Sequence, residues 1–201
     1  IVAVLLAVLI GMTVHEFAHN YIGWKMGDPV PAREGRLTLN PMVHINPIGF
    51  LMFALIGFGI LGQAPIAAHR MRNPRYGFLA AVAAGPLSNL LLAIVAGIFF
   101  RLLLRPGVPD IVLLILQQLV FWNALLFVFN LLPVFPIDGW HIVLALLPPD
   151  LAYTWQKHAQ TSNYILLGLI LLSFLRIPGL NILYTLIQQP AFAITSFLLG
   201  G

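Results

Sequence analysis

From Ile1 to Trp24 the chain carries no lysine, arginine or aspartate, and its one carboxylate, Glu16, stands between two histidines in Thr13-Val14-His15-Glu16-Phe17-Ala18-His19-Asn20. About 20 apolar helical residues cross a hydrocarbon core of about 30 Å, so this opening run reads as a membrane helix. The rest of the chain has the same character. Of its 201 residues 60% are hydrophobic and 8% charged, against roughly 25% charged in an average soluble domain. The sequence is that of an integral membrane protein, and one membrane domain uses the whole length.

The composition also excludes chemistries. With no cysteine, disulfides, thiolate metal sites and cysteine nucleophiles are absent, so any metal must be held by His, Asp or Glu. The net charge of +4 arises from ten Lys and Arg. These are scattered at the ends of apolar runs rather than gathered in a patch interleaved with aromatics, which fits membrane topology and not nucleic acid. Ile1 opens directly in apolar sequence without a positive flank, so a signal peptide is not expected.

The expected fold is membrane all-α, about five to six transmembrane helices with a small membrane-embedded β-strand and re-entrant segment. Ile1 to about Trp24 forms the first helix, with Gly27-Asp28-Pro29 as its stop. After a polar link, Leu37-Thr38-Leu39-Asn40-Pro41 and Val43-His44-Ile45-Asn46-Pro47 alternate in a way that predicts short strands around a proline-marked turn. Ile48 to Leu61 is apolar but rich in glycine, and is expected to dip into the membrane and return. Irregular backbone at that depth is tolerated only against protein or a water-filled cavity. Further helices are expected from about Tyr76 to Leu104 and Asp110 to Asn130, then a short one from Asp138 to Pro148-Pro149. Two last runs, about Ser162 to Leu175 and Leu180 to Leu199, are parted by Arg176-Ile177-Pro178-Gly179. Lys25, Arg33, Arg36, Arg70, Arg72 and Arg75 gather on one side against Arg101 and Arg105 on the other, which makes the first side cytoplasmic. The rare polar residues then converge at one depth near that side.

A carboxylate at a bilayer centre costs about 2.5–3.5 kcal/mol on insertion scales, so intramembrane ionisable residues are functional by default. Helical positions four apart share a face, and His15 and His19 can therefore put imidazole nitrogens on one cation. Glu16, next to the first ligand, is placed to take a proton from water that the metal activates. This is the H-E-x-x-H arrangement of zinc hydrolases. A catalytic zinc needs a third protein ligand, and Glu34, His44, Asp138 and His141 are candidates. Asp138 is the strongest, because Pro133, Pro136 and Gly139 fix the chain around it, with His141 an alternative ligand. His44 suits hydrogen bonding better than metal binding. Asn89, among Leu and Ala, is either an interhelical hydrogen-bonding amide or a donor to a developing oxyanion, and Asn130 reads as structural.

These residues resemble the site-2 protease family of intramembrane zinc metalloproteases. His15-Glu16-Phe17-Ala18-His19 fits its H-E-x-x-H, Ala84-Gly85-Pro86-Leu87-Ser88-Asn89 its A-G-P-x-x-N, and Asn130 through Gly139 its N-x-x-P-x-x-x-x-D-G. Gly35-Arg36-Leu37-Thr38-Leu39-Asn40-Pro41 with His44 to Gly49 looks like its membrane-embedded strand segment. The resemblance implies one Zn2+ per chain on His15, His19 and Asp138, Glu16 as general base, and Asn89 stabilising the tetrahedral intermediate. It implies cleavage of transmembrane segments of other membrane proteins, with the strand region, Leu37, Thr38, Leu39, Asn40 and His44, pairing with substrate. The chain then forms a single metalloprotease domain over 1–201, with its zinc-site core in about 1–140, C-terminal helices in about 141–201, and neither a PDZ nor a CBS domain. Its expected setting is a prokaryotic cell membrane with the site toward the cytoplasm. Asn46 stands where the family often has Asp, and Ala64-Pro65 where it often has Lys-Pro; these differences bear on gating and substrate handling. A competing class is a membrane transporter or channel with a His/Asp metal site, which also puts broken helices and polar residues inside the bilayer. Nothing in the sequence sets an oligomeric state.

Overall fold

The computed structural model describes residues 1–57, 59, 61–62, 64–174 and 182–201. In chain order they form α1 (Val2–Lys25), α2 (Val30–Arg33), α3 (Pro41–His44), α4 (Pro47–Ile56), α5 (Pro74–Leu103), α6 (Asp110–Asn130), α7 (Asp138–Leu146), α8 (Pro149–Lys157), α9 (Ala159–Phe174) and α10 (Gln189–Leu199). A 3-10 turn, Ala68–Arg70, precedes α5, and a π-helical turn, Tyr184–Gln188, leads into α10.

Among the described residues three helices, α1, α5 and α6, are long and apolar enough to cross a membrane. Their 24, 30 and 21 residues correspond to roughly 36, 45 and 31 Å at 1.5 Å per residue, enough for a core of about 30 Å. They pack on one another through small residues: Ala7 and Gly11 of α1, Ala81, Gly85 and Ala93 of α5, and Ala124 of α6 are all buried. Lipid tails are as apolar as leucine, so close backbone approach rather than hydrophobic segregation favours such contacts. The large side chains Leu87, Leu91 and Ile98 of α5 lie on the outside. α10 packs against α5 and α6, and Arg101 donates to the Leu198 carbonyl at 2.7 Å and to that of Phe197, satisfying carbonyls that a helix end leaves unpaired.

The count of five to six spans is not reached by these criteria, since the described part of the C-terminal region holds shorter helices. The predicted break at Arg176-Ile177-Pro178-Gly179 lies outside the described residues.

The strand expectation is corrected. Residues 37–40 bend without pairing, Val43 and His44 belong to α3, and one isolated antiparallel bridge, Ile45 to Gly62, is present among the described residues. The reason is local capping chemistry. Asn40 accepts from the Met42 N–H at 3.1 Å, and Asn46 accepts from those of Ile48 and Gly49 at 3.0 and 3.1 Å. Each Asn-Pro pair thereby starts a helix, with Asn at the N-cap and Pro at the first helical position, where its missing N–H costs nothing. The expected dip and return begins as α4 and turns at Gly57, whose φ of +75° is left-handed.

α7 follows the irregular turn after α6 and carries Asp138 at its start. Its far end is held by Arg75 of α5, which donates to the carbonyls of Ala145 and Leu146 at 2.8 Å and Leu147 at 3.1 Å. Asp28, fully buried just beyond α1, accepts from the N–H groups of Val30 at 2.9 Å and Ala67 at 2.7 Å. It thus ties the end of the first helix to the segment that re-enters beside it.

Candidate metal centre

The helical spacing of four brings His15 and His19 together, with Nε2 atoms 2.9 Å apart and ring planes at 89°. Oδ2 of Asp138 lies 3.2 Å from each of those Nε2 atoms. The three side chains form a group able to hold a metal ion. Three tests support a fit. Ligand atoms on a tetrahedral zinc at roughly 2.0–2.1 Å stand about 3.3 Å apart, close to the observed spacing. Both imidazoles are turned by their other nitrogen, Nδ1 of His15 to Asn89 Oδ1 at 2.7 Å and Nδ1 of His19 to the Ala81 carbonyl at 2.8 Å. Each Nδ1 donates to an oxygen, which leaves the Nε2 lone pairs facing the carboxylate. Finally, Asp138 Oδ2 is buried with no hydrogen-bond partner, an arrangement costly unless a cation or proton shares it.

Gly85 makes this closeness feasible. A Cβ there would fall on the His19 ring and 2.8 Å from Cε1 of His15, so α5 can lie against both imidazoles only without a side chain at that position.

A cavity of about 490 Å³ opens on the group, lined among others by Glu16, Gly62, Pro65, Asn130 and His141. Glu16 is 3% exposed, and its Oε2 has no hydrogen-bond partner. Such a carboxylate can accept a proton from water inside the cavity. Burial pushes His141 down from the ordinary imidazole value, only partly offset by Asp138. Its ring packs edge-on against Phe78 and Phe135, with centroids 6.0 Å away in each case. His141 lines the cavity but does not belong to the converging group.

The remaining candidates lie elsewhere. Glu34 is exposed and pairs with Arg36 at 2.8 Å. His44 is buried and bonds the Thr38 carbonyl at 2.7 Å. None of Leu37, Thr38, Leu39, Asn40 and His44 lines the metal cavity; the stretch after the bridge does, through Gly62, Ala64, Pro65 and Ile66. Asn130 lines it while donating to the Leu126 carbonyl. Asn89 sits behind His15, 0% exposed, with its amide donating to the Gly11 carbonyl at 3.1 Å and Asn123 Oδ1 at 2.9 Å. Both amide hydrogens are thus engaged, and its Oδ1 is the acceptor that meets His15 Nδ1. Sequence reasoning passed over Asn123. The rule that drew attention to Asn89, a polar residue inside an apolar helix, applied equally to it.

Comparison with known proteins agrees with this chemistry. The chain is 35% identical over 167 residues to "Putative zinc metalloprotease YwhC" of Bacillus subtilis, covering 79% of this chain and 74% of that protein. It is 31% identical over 178 residues to "Putative zinc metalloprotease Rip2" of Mycobacterium tuberculosis, covering 86% of this chain and 66% of that one. To the protein of the same name from Mycolicibacterium smegmatis it is 29% identical over 156 residues, 71% of this chain and 56% of the relative. No protein-family model and no solved structure matches the chain.

Proposed function

The chain belongs to the site-2 protease family of zinc metalloproteases, and we propose that it hydrolyses peptide bonds inside transmembrane segments of other membrane proteins. The observation that carries this reading is the convergence of His15, His19 and Asp138, with Glu16 on the same cavity, among helices long and apolar enough to span a bilayer.

In this reading His15, His19 and Asp138 hold one zinc ion. Bound there, zinc supplies Lewis acidity that polarises a carbonyl and acidifies water. Glu16 takes the proton from the attacking water and delivers it to the departing amine. His141, on the wall of the cavity, donates a hydrogen bond to the carbonyl oxygen as it gains charge. Asn89 holds His15 in place rather than touching substrate.

A second cavity of about 390 Å³ is lined by apolar side chains of α1, α4, α6 and α9, and shares Met12, Gly62, Asn130, Pro136 and Ile137 with the first. It suits a hydrophobic segment arriving from the bilayer. A helix hides its carbonyls in i to i−4 bonds, so that segment is unwound before attack. The non-helical stretch around 64–66 is the chain's candidate for pairing with it, in place of residues 37–40. The excess of Lys and Arg near the C-terminal end of α1 and the N-terminal end of α5 supports a site toward the cytoplasm, in one domain whose zinc-site core falls within about 1–140.

The test is reconstitution of the purified protein in liposomes with a single-pass substrate. Cleavage within the spanning segment, abolished by a zinc chelator and by Glu16→Ala while zinc stays bound, is the expected result. Cleavage that survives Glu16→Ala removes the mechanism, and metal flux across the liposome that survives it favours a transporter.

A further inference from the structure

The geometry points to Asn123 of α6 as a positioning residue that sets the tautomer of His15 through Asn89; this rests on reading His15 as a metal ligand. Backbone carbonyls accept only, and an amide side chain has one accepting and one donating end. Asn123 gives its Nδ2 to the Leu119 carbonyl at 2.9 Å, so its Oδ1 must face the other way. There it accepts from Asn89 Nδ2 at 2.9 Å. Asn89 Nδ2 also meets the Gly11 carbonyl at 3.1 Å, a second acceptor that forbids turning the Asn89 amide over. Oδ1 of Asn89 is therefore the atom 2.7 Å from His15 Nδ1, and that nitrogen must carry the proton. The lone pair is left on Nε2, the atom facing Asp138 and His19.

Two features show that this relay is built into the packing. Asn89 and Asn123 are both 0% exposed, so water cannot substitute for a lost partner, and a broken link leaves a buried amide unsatisfied. A Cβ at position 11 would stand 2.6 Å from Asn123 Oδ1. A glycine on α1 is thus what lets the α6 amide reach Asn89. Three helices meet at one point, and each contributes a part that the others require.

Asn89 stands one shell behind the imidazole, where loss of a partner alters metal affinity by 10–100-fold, and Asn123 acts on His15 through it. The experiment measures zinc affinity of the full-length protein in detergent by competition with a chromophoric chelator. Asn123→Leu, one bond further out, is expected to weaken zinc binding at the lower end of that range, about tenfold, and Gly11→Ala to weaken it in the same direction from the other side of the contact. Val120→Ala, a purely apolar change at a fully buried position of the same helix, is the packing control and is expected to stay within about twofold. His15→Ala calibrates the underlying reading. If it leaves zinc affinity unchanged, the ligand assignment itself fails. If it abolishes binding while Asn123→Leu and Gly11→Ala match Val120→Ala, the assignment stands and the relay is overturned. Should Asn123→Leu not fold, Gly11→Ala against Val120→Ala decides the matter.

Discussion

The helix core and the segment between α1 and α5 both rely on polar side chains as hydrogen-bonding groups, but over opposite ranges of sequence. In the core, His15 meets Asn89 across 74 residues, His19 meets the Ala81 carbonyl across 62, and Asn89 meets Asn123 across 34. In the segment, Asn40 and Asn46 serve N–H groups two or three residues on, and His44 reaches back six to Thr38. The short-range bonds steer the chain, starting α3 and α4 at chosen points. The long-range bonds orient the side chains able to hold a metal ion. Polar residues of similar type thus do different work according to whether their partner is local or distant.

This contrast can be broken by substitution. The largest effect is expected from Gly85→Ala, which puts a methyl where the two imidazoles lie. Zinc affinity and cleavage should both fall by more than about 100-fold, and near-normal zinc binding in a competition assay would mean α5 does not press on the site as described. Next comes His141→Ala. Loss of a transition-state hydrogen bond is worth about 100-fold or more in turnover, so kcat should drop on that scale with zinc affinity unchanged; parallel loss of both would make His141 a ligand instead.

Arg75→Met sharpens the comparison, because its partners are 70–72 residues away yet the contact is largely exposed. If burial matters as well as range, melting in detergent should show a loss of about 1 kcal/mol, with cleavage reduced a few-fold as α7 loosens around Asp138. The smallest effect on zinc binding and cleavage is expected for Asn46→Ala. Removing an N-cap costs about 0.5–2 kcal/mol, while zinc affinity remains that of the unsubstituted protein. A large loss of zinc there would show that the local caps also build the site.

Much of the site was legible because it depends on local geometry. The i, i+4 pair follows from helix periodicity, and Asp138 from a proline-broken chain restarted at Asp-Gly. The strands at 37–47 were misread because alternation and an Asn-Pro turn signal are also what two successive capped helices look like. Only the pattern of hydrogen bonds separates those cases.

Residue order alone determined that the chain holds apolar helices of spanning length, that His15, Glu16 and His19 share a helix, and that no thiol could bind the metal. These follow from composition and from periodicities of a few residues. Tertiary structure alone decided that Asn89 faces backward onto His15 rather than forward into the cavity, that Asn123 stands behind it, and that Gly62, Ala64, Pro65 and Ile66 rather than residues 37–40 border the candidate metal site. Hydrogen bonds between distant residues depend on how three helices are rotated against one another, and close contacts through Gly11 and Gly85 set that rotation.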